Sequence, residues 1–166
     1  HQPAAKAPPA TAYLRTKVRT ATPAELRLML FDGAIRFAEQ GRQGIAERNF
    51  ELAYTGISRC QSILMELINA LRPEQDPDLC QKLSALYTFM YTRLVTASSE
   101  KSSTIMDEVL KLLRFERETW QMLLDQLTRE NASSAGMGET PSAKPQAAAK
   151  RGNERSLVSG SVSLQG

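Results

Sequence analysis

The stretch AYTGISRCQSILMELINAL, residues 53–71, decides the fold. Its apolar positions Ala53, Ile57, Cys60, Leu64, Leu67 and Leu71 step by four, three, four, three and four. That spacing places them on one face of an α-helix. Pro73 stops the pattern, so the spacing predicts a helix over about 47–71. No alternating, period-two segment competes with it.

The same logic extends in both directions. Upstream, Thr22-Pro23-Ala24-Glu25 reads as a helix start, with Thr22 capping, Pro23 in the first turn and Glu25 reaching back. Two stripes follow, Leu26-Leu30-Gly33-Phe37 and Leu28-Phe31-Ile35-Ala38, and Gly41 and Gly44 are expected to end this helix near 43. Downstream, Asp76 caps a helix over 77–98, with Pro77 and Asp78 in its first turn. Its line is Leu79, Leu83, Leu86, Met90 and Leu94, with Tyr87 and Tyr91 beside it. Ser98 to Ser103 breaks the chain, and Ser103 or Thr104 starts a helix over 103–129 carrying Val109, Leu113, Trp120, Leu123 and Leu127. Four helices of similar length with short connections predict an all-α, antiparallel up-down-up-down four-helix bundle.

The flanks differ. Residues 1–11 and 131–166 are Ala/Pro- and Ala/Ser/Gly-rich and too poor in large apolar groups to build a core, so they are expected to be a disordered leader and tail. Residues 12–21 form an arm in which Tyr13, Leu14 and Val18 are isolated apolar residues. It is expected to lie back over the bundle, as a fixed cap or a removable one. Within the tail, Ser156 to Leu164 has sparse apolar anchors that could visit an open groove in cis, and its composition equally fits a flexible tail.

At 166 residues the chain is one domain with tails, and no run of about 18 apolar residues spans a membrane. The opening HQPAAKAPPA lacks the apolar core of a signal peptide. Residues 1–22 carry four bases and no acid, whereas 23–130 carry 13 bases and 16 acids. The basic balance therefore belongs to the flanks, and the foldable part is a poor candidate for nucleic acid.

The only histidine is His1, which removes Ser-His-Asp, Cys-His and histidine-ligated metal chemistry from the foldable part. Glu116 is the one acid on a core stripe, so a bundle-core di-iron site has no ligand set. Turning the last helix so that Leu112, Phe115 and Leu123 face inward would bring Glu116 to the rim; pairing with an arginine is the other way to avoid a lone buried carboxylate. Cys60 and Cys80 lack metal or redox spacing and read as core fillers. No phosphate loop or nucleophile elbow is present. No cofactor, metal or catalytic residue is expected. What remains is surface. Tyr and Met suit adaptable recognition, so the wide apolar arcs either complete the core or line grooves for an amphipathic peptide. The candidate groove and cap residues are Tyr13, Leu14, Val18, Leu28, Phe31, Ile35, Tyr54, Ile57, Tyr87, Met90, Tyr91 and Leu94.

The run from Ala12-Tyr13 through Val18-Arg19-Thr20-Ala21-Thr22-Pro23-Ala24-Glu25-Leu26 to Leu28-Met29-Leu30-Phe31-Asp32-Gly33-Ala34-Ile35-Arg36-Phe37 resembles the start of the flagellar secretion chaperone FliS family. Cys60 to Leu67, Leu86 to Leu94, Glu108-Val109, Leu112-Leu113, Arg117 and Trp120 extend the resemblance to about Leu127. Thr16, Phe31, Thr88, Thr92 and Glu116 depart from the family pattern. The resemblance implies a non-enzymatic chaperone of the bacterial cytosol. It would bind the C-terminal segment of flagellin, prevent early polymerisation and help delivery to the flagellar type III export gate. It also implies an N-terminal arm that covers part of the binding surface in the free protein. The protomer is expected to be a monomer or weak dimer. The alternative is a helical-bundle adaptor or regulator of another flagellar export protein.

Overall fold

The computed structural model describes residues 9–136, and every regular element among them is an α-helix. In chain order these are α1 (Pro9–Thr20), α2 (Pro23–Ala46), α3 (Phe50–Asn69), α4 (Pro77–Glu100) and α5 (Ser103–Gly136). Helix α2 packs on α3 and α5, and α4 packs on α3 and α5, so four helices close a ring around one core. Phe31, Leu64, Leu67, Tyr87, Met90, Leu94, Met106 and Leu113 fill it. The α2–α3 contact is the most extensive and α4 is held more loosely.

The helix starts follow from their caps. Thr22 and Glu25 form the reciprocal capping box: the Glu25 amide donates to Thr22 Oγ1 at 3.2 Å and the Thr22 amide donates to Glu25 Oε2 at 2.8 Å. Asn49 accepts from the Leu52 amide to start α3, and Asp76 accepts from the Leu79 amide to start α4. Helix α5 is capped by Ser102, which accepts from Ile105, one residue before the expected cap.

Gly41 and Gly44 do not end α2, which runs on to Ala46. Both are buried where α2 meets α3. A Cβ on Gly44 would collide with the Ala53 backbone, and one on Gly56 would lie 2.5 Å from the Gly41 nitrogen and 2.6 Å from the Phe37 carbonyl oxygen. These residues are therefore a backbone-to-backbone contact and not a stop. The stop lies further on. The Arg48 amide donates to Ile45 and the Asn49 amide to Gly44, with Arg48 itself left-handed at φ 57°. Helix α3 consequently spans 50–69 instead of 47–71. Lys101, at φ 54°, plays the corresponding part between α4 and α5.

The ends differ from expectation too. The arm is a free-standing helix, and Tyr13, Leu14 and Val18 are 67%, 49% and 47% exposed. Its two-residue link, Ala21-Thr22, leads into the α2 cap, and α1 makes no substantial contact with the ring. Helix α5 passes Glu130 to Gly136, which makes 131–136 helix and not tail. The remaining leader and tail expectations, for 1–8 and 137–166, lie outside the described residues.

Three ion pairs tie α2 to α5: Asp32–Arg117, Glu39–Arg114 and Arg42–Asp107. Positions fall along α2 as they rise along α5, so these two helices run in opposite directions. All three pairs are solvent-exposed, and each contributes at most about 1 kcal/mol.

Gly44→Ala and Gly56→Ala should each destabilise the protein by about 2 kcal/mol or more, because the added methyl meets backbone that cannot step aside. Gly136→Ala, in open space on the same kind of helix, should be neutral or stabilising by up to about 1 kcal/mol. Urea unfolding of the three variants distinguishes these outcomes. Equal effects would show that the α2–α3 approach is not tight.

Candidate functional site

The twelve candidate recognition residues divide by burial. Leu28, Phe31, Ile57, Tyr87, Met90 and Leu94 are 7% exposed or less and belong to the core. Very little of their surface is open to a partner while the ring is closed. The reason is packing: α2 and α4 need those positions to meet both neighbours, so the wide apolar arcs are used internally. Phe31 and Tyr87 meet edge to face, with ring centroids 6.2 Å apart. Ile35 and Tyr91 are half-buried, Tyr54 is 68% exposed, and the three arm residues stand free.

Apolar surface is instead exposed along two seams beside α4. On one side, Tyr54 and Val95 flank a groove of about 430 Å³ between α3 and α4, floored by Ile57 and rimmed by Ser98, Ser99 and Lys101. On the other, the Arg93–Glu108 ion pair fixes the register of α4 against α5. Counting turns from that pair sets Phe89 near Leu112, Leu86 near Phe115, and Leu79 near Met122. Phe89, Phe115 and Met122 are 52%, 64% and 62% exposed. Sequence reasoning assigned none of these three to recognition. Their signal was present, since Phe115 and Met122 lie one heptad apart and off the core stripe.

Phe115 was expected inside, with Glu116 at the rim, and the structure has them reversed. Val109, Leu113 and Glu116 share one face, so turning Glu116 outward would also expose Val109 and Leu113. Glu116 is 7% exposed, and no ion pair reaches it among the described residues. Arg117 is taken by Asp32, and Arg27 lies over the Trp120 ring at 4.3 Å. Beside Glu116 sits Tyr87, fully buried, whose hydroxyl has no hydrogen-bond partner among the described residues. Burial chiefly, then the nearby Glu116 charge, pushes the Tyr87 pKa up to about 12. Burial likewise raises the Glu116 carboxyl above its ordinary value, opposed by the Trp120 indole.

Trp120 is the wall between this polar pair and a cavity of about 260 Å³ at the end of the ring. Leu71, Leu79 and Leu83 form the cavity's apolar floor, with Arg27, Arg72 and Asp76 on its lining. Cys80 also lines it, half-buried, whereas Cys60 is fully buried and burial pushes its thiol up to about 12. Both cysteines are free, and the reading of Cys80 as a core filler is corrected to a cavity residue. With apolar seams, one apolar cavity and no His in any described element, the arrangement can hold apolar side chains.

The family profile described as "Flagellar protein FliS" matches residues 5–127. The chain is 30% identical over 129 residues to the flagellar secretion chaperone FliS of Bacillus subtilis, covering 78% of this chain and 96% of that one. It is 28% identical over 110 residues to the protein of the same name from Campylobacter jejuni, covering 66% and 86%. With the Vibrio cholerae protein of that name it shares 22% identity over 122 residues, covering 74% and 90%.

The buried polar pair yields a stability prediction with a definite sign. Because the folded-state pKa of Glu116 is raised, its contribution is fully present below the unfolded carboxyl value near pH 4, and is lost as pH rises through the folded value. Glu116→Leu should stabilise the fold at pH 7 by about 1 kcal/mol or more. Its advantage over wild type should shrink as pH falls toward 4. Tyr87→Phe should be neutral or stabilising by up to about 1 kcal/mol, since it deletes an unsatisfied hydroxyl. Urea unfolding at pH 4.5 and 7 tests both, and a loss above about 3 kcal/mol for Glu116→Leu would reveal an internal partner.

Proposed function

This chain belongs to the FliS family of flagellar proteins, and from that membership we propose that it acts as a flagellar secretion chaperone that binds the C-terminal segment of flagellin. In this reading it acts in the bacterial cytosol, by binding and not by catalysis, and keeps the segment from polymerising before handing it to the export gate. The scaffold is an antiparallel up-down-up-down four-helix bundle, a reading supported by the closed ring of packing and the short connections.

The observation that carries the proposal is the pair of apolar seams beside α4. A soluble monomer rarely leaves Phe89, Phe115 and Met122 exposed on one seam, and Tyr54 and Val95 on the other. An amphipathic segment laid into them buries its own apolar face and is thereby withheld from filament contacts. Ile35 and Tyr91 contribute where they are half-buried. Tyr13, Leu14 and Val18 on α1 are free to close over the bound segment. Coupled folding of the segment costs ordering entropy, so the interface must be extensive.

Titration calorimetry with a flagellin C-terminal segment should give one-to-one binding and a large negative heat capacity change. Phe89→Ser and Phe115→Ser, at exposed positions, should each weaken binding by about tenfold or more without lowering stability. No binding at tens of micromolar would sink the flagellin reading. Binding of a different flagellar export protein would install the adaptor alternative.

A further inference from the structure

The cavity beside Trp120 is apolar at its floor and charged at its edge, with Leu71, Leu79 and Leu83 below and Arg72 and Asp76 above. Thirty residues of this chain, 137–166, follow α5, and their only adjacent large apolar pair is Leu157-Val158. We propose that this pair seats in the cavity of its own chain, so that the C-terminal segment Glu154–Val158 is an internal ligand of the α2–α4 end.

Reach supports this. Helix α5 carries the chain away from the cavity between Trp120 and Gly136, a distance of about 24 Å at 1.5 Å per residue. Residues 137–156 then lead to Leu157, and twenty residues can reach at most about 70 Å, well beyond that distance. Chemistry supports it as well. Glu154 and Arg155, just before the apolar pair, complement Arg72 and Asp76 at the edge. The floor is built of leucines, and Leu157 and Val158 bring two aliphatic groups to meet them. The tail offers besides only Met137 and, two positions apart, Val162 and Leu164. Leu79 lines both this cavity and the α4–α5 seam, but the test below uses no flagellin segment, so its outcome does not depend on the flagellin reading.

Two reporters already stand at the cavity. Trp120 is the single tryptophan of the chain, and Cys80 is its one thiol that is not fully buried. The test compares the full chain with the full chain carrying Leu157→Ser and Val158→Ser, changes that lie outside the core. Iodoacetamide alkylation of Cys80 and acrylamide quenching of Trp120 are measured on both. At an effective concentration of about 1 mM and a Kd of about 0.1 mM, the segment would be seated some nine-tenths of the time. Its loss should then speed Cys80 alkylation up to about tenfold and increase quenching of Trp120. Equal rates and equal quenching overturn the proposal. Protection that fades on dilution also overturns it, and assigns the occupant to a second copy of the chain.

Discussion

The fold depends on how closely α2 approaches α3. Gly41 and Gly44 on one helix and Ala53 and Gly56 on the other bring the two backbones into direct contact near their connection. Ordinary helices are kept 8–10 Å apart by their side chains, and small residues remove that spacer. Once the pair is locked, Ile63 meets Gly33 higher up, and the two helices present a single rigid surface. Helices α4 and α5 complete that surface with larger groups, Tyr87, Met90, Leu94, Met106 and Leu113, filling the wider space between them. The tight half anchors the fold, and the looser half around α4 carries the exposed seams.

Local patterns in the sequence reveal much of this. The stripe Ala53, Ile57, Cys60, Leu64 and Leu67 is buried as its period requires, and the caps Thr22 and Asp76 start helices where proline at the next position marks them. Gly41 and Gly44 were misread because glycine serves two opposite purposes. At a helix end it supplies a left-handed residue, and in a helix interior it permits close approach. Only the partner helix decides which applies. Here the left-handed positions went to Arg48 and Lys101, which no propensity would nominate.

The recognition surface was less legible, and for a related reason. A wide apolar arc says that a helix has more than one neighbour; it does not say whether the neighbour belongs to the same chain. Phe31 and Tyr87 turned out to satisfy the ring itself. Phe89, Phe115 and Met122 lie off the core stripe and escape a search for stripes. Glu116 was misplaced because its cost was weighed alone. Exposing it would have uncovered Val109 and Leu113 on the same face, and the burial of those two outweighs one carboxylate.

Helix α2 begins, and helix α5 ends, at the same end of the ring, so the chain enters and leaves on one side. A pull applied across those two points would load α2 against α5 as a zipper and not in shear. Arg117–Asp32 would take the force first, then Arg114–Glu39, then Arg42–Asp107, and each exposed pair would part before the next was stressed. The resistance of such a joint is that of one contact at a time, however many line the seam. The molecule would thus be soft against tension applied at those two points.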